Sequence, residues 1–350
     1  MLFSKSKDII GVDIGSSAVK LVQLRALKEG YQLQSIGTLP LPAEAIVDNT
    51  LMDSSSVVET VKQLVSSLNI KAKEVGCSIS GNSVIIRKIS LPVMPVEELE
   101  DQIQWEAEQY IPFDINDVNV DFQILSPDEQ DPSKMNVLLV ASKKDIIDDY
   151  QTVFAEAGLK LVVMDVDSFA VQNAYEMNYP TEQNEVVALV NIGASIINLN
   201  IVSGGVSLFT RDVQMGGNLY TEEIQKQFGV SGEDAEEKKL AAADSDDPRL
   251  KDILQRVNES MSQEIRRSLD FYNSTAGEGK ISKVYLSGGA AKTARLLETV
   301  QRRLALPVEM LNPFLKVTVN EKEFDARFLQ ELAPLVTVAV GLATRRAGDK

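Results

Sequence analysis

The sequence predicts an α/β protein made of two similar lobes, and three observations predict it. Strands come in runs followed by helices, twice along the chain. The stretch VDIGSSAVKLVQL, from Val12, aligns without gaps with VNIGASIINLNIV, from Val190. A third glycine turn, inside KVYLSGGAAKTARLLETV, follows a strand and opens a helix. Self-similarity at one long separation points to duplicated lobes, whereas a solenoid repeats many times at a short period.

Taken in order, residues 8–24 and 31–38 read as strands from their β-branched and alternating runs. Ser55 to Leu68 reads as a helix with Val58, Val61, Leu64 and Val65 on one stripe. Cys77 to Ser90 alternates and reads as a hairpin around Gly81-Asn82. A helix is expected from Pro95 to about Ile111, then a strand near Val118–Leu125, a polar loop (SPDEQDPSK) and a strand at Met135–Ala141. Asp145 to Ala157 reads as helix and Leu159 to Asp165 as strand. In the second half, strands run from Glu185 to Thr210, and Gly216-Gly217 opens a helix from Leu219 to Phe228. An acidic loop leads to a long helix, about Leu250 to Tyr272, with Leu254, Val257, Met261, Ile265 and Leu269 as its apolar stripe. A strand at Ser282–Leu286 meets Gly288-Gly289-Ala290, and another helix follows.

Composition narrows the function classes. At 350 residues the chain has room for two domains or one deeply bilobed one. With 51 acidic residues against 35 basic, a net charge of −16 argues against nucleic acid and against adsorption to an anionic membrane. The single cysteine, Cys77, excludes an intramolecular disulfide and points to a reducing compartment. With no histidine, His-based metal sites, triads and general bases are absent. The N-terminal MLFSKSKDIIG lacks the apolar core of a signal peptide, and no run approaches the length of a membrane span. A cytoplasmic, soluble protein is the expectation.

Two hairpin turns carrying backbone donors can clamp phosphates from both sides. Glycines let the backbone approach a ligand, and a helix start presents free N–H groups. The Gly288-Gly289-Ala290 turn would lie against an adenosine, with Gly288 packed on it. Gly11 to Ser17, Asn191 to Ser195 and Val284 to Ala290, in that order, resemble the two phosphate motifs and the adenosine motif of the actin/DnaK/FtsA superfamily. Within it, LPVMPVEELEDQIQWEAEQYIPF (Leu91 to Phe113) and MDVDSFAVQNAY (Met164 to Tyr175) are similar to the PilM family of type IV pilus assembly. The resemblance spans nearly the whole chain.

The resemblance implies an actin-like ATPase fold, two duplicated lobes around a nucleotide cleft, with an FtsA-like small inserted subdomain. The first lobe would take residues 1–184, with the insert at about 75–162; the second, 185–332, with its own insert near 219–280; and 333–350 would return to the first lobe. ATP and Mg2+ are the implied ligands. Asp13 would face the metal through water, since Mg2+ keeps most of its hydration shell. Gly15, Ser16 and Ser17 would hold phosphates from one side, and Gly193, Ala194 and Ser195 from the other. Lys20 is either a further phosphate contact or an exposed strand residue. Gly216, Gly217, Gly288, Gly289 and Ala290 would border the nucleoside.

Ala235 to Lys239 resembles the AExxK pattern, which carries over Glu236 and Lys239 as nucleoside contacts; a solvated charged helix is the alternative. Glu264 and Arg267 on the long helix are candidates for nucleoside contact or surface charges. Asn191 departs from the family, where Asp is common near the metal and attacking water. An amide carries no charge, so nucleotide binding is expected with weak or absent ATPase activity. Asp165, Asp167 or Gln172 would have to substitute, and spacing singles out none of them.

In the helix from Pro95, residues Val96, Leu99, Ile103, Ala107 and Tyr110 make one stripe at about 100° per residue. Trp105, the only tryptophan, falls about 180° from it, to be covered by another part of the fold, by a partner or by solvent. The resemblance implies that this region, marked by Leu99, Ile103 and Trp105, borders a groove for the N-terminal cytoplasmic peptide of a PilN-like inner-membrane protein. The expected function is an ATP-binding cytoplasmic scaffold of type IV pilus or type II secretion-like assembly, also meeting other platform and motor components. Self-association is left open. A small-molecule kinase of the same fold would need a catalytic base that no motif supplies. An FtsA-like filament would need a C-terminal amphipathic anchor, and the ending LVTVAVGLATRRAGDK reads as a closing helix and polar tail without one.

Overall fold

Val12, Ile14, Val19 and Leu21 are all buried, which closes the first repeat as a hairpin. In the computed structural model, which describes residues 9–47, 49–127, 131–180, 182, 185–275 and 279–349, β1 (Ile10–Ile14) runs antiparallel to β2 (Ala18–Ala26). Next along the chain come β3 (Tyr31–Pro40), a short hairpin of β4 (Ile46–Val47) and β5 (Thr50–Leu51), α1 (Ser54–Ser67) and β6 (Glu74–Ile79). The Asp53 side chain accepts from the Ser56 amide and starts α1. With β10 (Lys160–Val166) and β16 (Val317–Thr318), these strands form one six-stranded sheet in the order β10-β6-β1-β2-β3-β16. The residues of the N-terminus and of the polar loop that lie at 1–8 and 128–130 fall outside the described residues.

Gly81, at φ +62, turns the chain out of this sheet. β7 (Val84–Pro92), α2 (Val96–Ala107), β8 (Val118–Pro127) and β9 (Lys134–Lys143) then build a separate subdomain with sheet order β7-β9-β8. Its core sets Leu99, Ile103 and Ala107 of α2 against Val137 and Leu139. The hairpin expected at 77–90 is therefore not one: β6 pairs with β1 and β10, while β7 pairs with β9. Sheet membership also narrows the insert expected at 75–162, because β6 and β10 belong to the first lobe. So does α3 (Lys144–Glu156), whose Tyr150, Val153 and Phe154 pack in the first lobe's core.

The second repeat forms β11 (Val186–Ile192) and β12 (Ile197–Ser203), followed by β13 (Val206–Val213). β14 (Ile281–Ser287) and β15 (Val308–Met310) complete a sheet ordered β13-β12-β11-β14-β15. Helices α5 (Asn218–Phe228), α6 (Gly232–Leu240), α7 (Pro248–Thr275) and α8 (Leu296–Leu304) belong to this lobe. The α7 stripe of Leu254, Val257, Met261, Ile265 and Leu269 is buried as its spacing predicts. The boundary expected at 332 moves earlier. β16 pairs with β3, and Leu329 and Leu332 of α9 (Ala326–Leu332) pack in the first lobe.

Two helices join the lobes: α4 (Asp167–Asn178) and α10 (Thr337–Ala343). Their residues Ala170, Val171, Tyr175, Val338 and Leu342 share one core with Val187, Leu189 and Tyr285 of the second lobe. Close approach needs glycine at two points. A Cβ on Gly341 would sit 1.7 Å from the Ala170 carbonyl oxygen, and one on Gly11 would sit 2.1 Å from that of Ala339. Among the described residues, no single helix is long and apolar enough to cross a membrane.

Candidate functional site

The two repeated turns meet face to face. Ser195 Oγ donates to Ser16 Oγ at 2.8 Å, and Asn218 Nδ2 donates to Ser195 Oγ at 3.2 Å. Between the lobes lies a cavity of about 80 Å³, lined by Asp13, Gly15, Ser16, Ser17 and Lys20 from one side and Asn191, Gly193, Ala194 and Ser195 from the other. All nine sequence-predicted phosphate-side residues therefore come together. The Ser195–Ser16 hydrogen bond pins the two turns together, so that contact must part to admit a phosphate between them.

Register explains the arrangement. Asp13 stands across from Lys20 in the β1–β2 pair, and Lys20 Nζ lies 3.1 Å from the Asp13 carboxylate, both side chains mostly buried. A Cβ on Gly15 would fall 2.6 Å from Lys20 Nζ, so the absent side chain is what lets the ammonium fold over the turn. Of its two readings, Lys20 is a cavity residue. Among the described residues no hydrogen bond takes up the amides of Ser16, Ser17, Ala194 or Ser195, which leaves donors on both turns. That is a donor set for an anion with several oxygens.

The connecting segment is now resolved by position. Asp167 lines the cavity at the start of α4 and accepts from Ser78 Oγ at 2.6 Å. Burial, with the charge of Asp13 nearby, pushes its carboxyl up to about 6. Asp165 instead pairs with Arg345 at 3.1 Å, and burial holds its carboxyl above the usual range. Gln172 donates to Glu176 and to the Gly205 carbonyl, at 2.7 and 3.1 Å.

The nucleoside-side candidates divide. A Cβ on Gly216 would meet the Ala194 backbone at 2.5 Å, and the amides of Gly217 and Asn218 donate to Gly193 and Ala194 at 2.9 and 2.8 Å. The start of α5 is thus docked on the second turn. Lys239 pairs with Glu236 at 2.6 Å and donates to Thr221 and the Gly217 carbonyl, at 3.3 and 3.5 Å. A Cβ on Gly217 would lie 3.2 Å from Ala290 Cβ, so Gly217, Glu236, Lys239 and Ala290 adjoin. Gly289 borders Leu335, with its Cβ position 3.8 Å from that side chain.

Gly288 has a packing role of its own. It has φ +88, and a Cβ there would sit 2.3 Å from the Ile192 carbonyl oxygen, so packing on β11 is what requires glycine. Glu264 and Arg267 pair with one another on α7, and among the described residues no hydrogen bond joins either to the glycine turns. Of the three residues that mark the expected partner region, Leu99 and Ile103 are buried in the subdomain core, while Trp105, 72% exposed, is presented to solvent.

Sequence reasoning missed a polar row across the second sheet. Ser287, Asn191, Asn198 and Asp212 stand opposite one another on β14, β11, β12 and β13. Ser287 Oγ donates to Asn191 Oδ1 (3.2 Å), Asn191 Nδ2 to Asn198 Oδ1 (3.0 Å) and Asn198 Nδ2 to Asp212 Oδ1 (2.9 Å). Asp212 Oδ2 then accepts the Gly81 amide of the first lobe at 2.5 Å. The repeat did hold a signal for Asn198, which occupies in the second copy the place Lys20 has in the first.

Residues 11–347 match the family model described as type IV pilus assembly protein PilM. A solved PilM-PilN type IV pilus biogenesis complex superposes with a TM-score of 0.88 at 30% identity, covering 97% of this chain and 98% of that one. Cell division protein FtsA of Escherichia coli (strain K12) is 21% identical over 85% of this chain and 82% of its own length. Ethanolamine utilization protein EutJ from Carboxydothermus hydrogenoformans shares the fold, with a TM-score of 0.57 at 15% identity over 98% of this chain and 93% of its own. The fold is the actin/FtsA/Hsp70-like ATPase fold with duplicated lobes. The chain belongs to the type IV pilus assembly protein PilM family.

Proposed function

We propose that this protein is a cytoplasmic scaffold of type IV pilus assembly, held at the inner membrane by a PilN-like partner. The observation that carries the reading is the superposition of 97% of the chain on a chain of a PilM-PilN type IV pilus biogenesis complex. In this reading the N-terminal cytoplasmic segment of the partner docks beside the inserted subdomain, near the face that presents Trp105. Co-purification with that segment, fused to a carrier protein, tests it. A carrier that elutes alone contradicts it.

The cleft is read as a nucleotide site, with Mg-ATP its ligand. The two turns supply free amides and hydroxyls, and Lys20 adds a cation, which fits a triphosphate. Among the described residues no group of three or more acidic or cysteine side chains could hold a metal by itself. In this reading the magnesium ion is carried mostly by water and phosphate, with Asp13 as its protein partner. When bound, the metal would neutralise phosphate charge. Gly217, Lys239, Glu236 and Ala290 would border the nucleoside. Thermal stabilisation by Mg-ATP tests this part, at about 2.7 kcal/mol for ligand at 100 times its Kd. No stabilisation, with the partner still bound, would leave a scaffold without a nucleotide site.

A further inference from the structure

The row from Ser287 to Asp212 has a direction, and its two ends fix it. The Gly81 amide can only donate, and an ionised Asp212 can only accept. Asn198 must therefore offer its Nδ2 to Asp212, which turns its Oδ1 toward Asn191. Residue 191 must then donate. An aspartate there would set oxygen against oxygen in a buried site, where an unmatched polar pair is costly. The hydroxyl of Ser287 closes the far end, since it adapts to either role.

The row spans four strands of one lobe and ends on the other lobe at a particular place. Gly81 is where the chain leaves the first sheet for the inserted subdomain. Asn49 fastens the same turn, donating to the Ser80 carbonyl at 2.8 Å. We propose that Ser287, Asn191, Asn198 and Asp212 form a latch that holds the lobes closed at the root of the subdomain, and that residue 191 is an amide because the latch needs a donor there. Asn191 is then a positioning residue. As an account of how the cleft is regulated, the latch rests on the nucleotide reading; as a structural device, it acts in the protein without ligand.

The test uses closure of the ligand-free chain as its readout. Ser16 and Ser195, with hydroxyls 2.8 Å apart, are replaced by cysteine, and the rate of disulfide formation at a fixed glutathione ratio reports closure. Cys77 is buried and does not compete. In this background Asn191→Asp is expected to slow cross-linking at least tenfold. Asp212→Asn is expected to change it less than threefold, because the two amides can flip together and Ser287 can accept. The double variant N191D/D212N restores the rate to that of Asp212→Asn, since the carboxylate at position 191 then accepts from Asn198 and the amide at position 212 donates to it. Asp212→Ala, which removes the Gly81 tie without adding charge, slows cross-linking and serves if Asn191→Asp does not fold.

Asn191→Asp cross-linking as fast as the background would overturn the latch. So would a double variant no faster than Asn191→Asp, or an Asp212→Ala that closes normally. Mg-ATP stabilisation measured on the chain with Ser16, Ser195 and Asn191 intact, and on Asp212→Ala alone, reports separately on the nucleotide site. Its absence with an intact latch sinks only the nucleotide reading.

Discussion

Ser195 donates a 2.8 Å hydrogen bond to Ser16, so two turns 179 residues apart in sequence touch where phosphates would enter. A ligand must part them. Association of a fluorescent ATP analogue is therefore expected to reach a plateau rate as concentration rises, set by the opening step. Stopped-flow mixing reads this directly, and a rate that stays proportional to concentration would mean the resting cleft is open.

Lys20 and Asp13 pair at 3.1 Å in the cleft, and the same lysine lines the cavity beside the turns that carry the free amides. Lys20→Ala is expected to weaken Mg-ATP binding roughly tenfold to a hundredfold by calorimetry, the range for a lost charge-assisted contact. It also leaves the Asp13 carboxylate, mostly buried, without its partner, so the apo protein should lose stability as well.

The Asp167 carboxyl makes a pH signature. Its folded value of about 6 lies above the 3.8 it has when free. Between these values the folded protein keeps a proton that the unfolded chain has lost, so stability falls as pH rises from 4 to 6. The full effect is about 3 kcal/mol. Urea unfolding should show a shallower decline over that window in Asp167→Asn than in the native protein. Equal slopes would place the carboxyl near its ordinary value.

Much of this was legible in the sequence where the signal is local. VDIGSS, VNIGAS and SGGAA each combine a buried strand with a glycine turn, and the three turns follow β1, β11 and β14 as read. Of the stripe read on α2 from its helical spacing, Leu99, Ile103 and Ala107 are buried, while Val96 and Tyr110 at its two ends are exposed. Sheet membership was not legible: Cys77 to Ser90 alternates throughout, but β6 is claimed by Ile10 and Gly11, and β7 by a strand some fifty residues later. The latch was hidden for the same reason, because Asn191, Asn198 and Asp212 become neighbours only once strand register is known. The packing of Gly288 against Ile192 was hidden too, because glycine in a turn serves close backbone packing as readily as it serves a ligand.

Glycine replacements separate these roles. Gly341→Ala would press a methyl to within 1.7 Å of the Ala170 carbonyl oxygen and should cost at least about 3 kcal/mol, whereas Gly158→Ala, at φ +75 with nothing within 4 Å, should cost about 1–2 kcal/mol. Gly288→Val should prevent folding. Gly217→Val, whose backbone is ordinary and whose nearest neighbour is Ala290 Cβ at 3.2 Å, should fold but lose stabilisation by ATP. Denaturant unfolding with and without Mg-ATP distinguishes all four.

The central claim is that this chain is a scaffold whose nucleotide cleft and partner surface are coupled. The most direct measurement is a calorimetric titration with the N-terminal cytoplasmic peptide of the cognate PilN-like membrane protein, with and without Mg-ATP. Binding at about micromolar Kd, near −8 kcal/mol, with an affinity that changes at least fivefold when nucleotide is added, is the predicted result. No binding in either state, by a protein that still binds Mg-ATP, would contradict it.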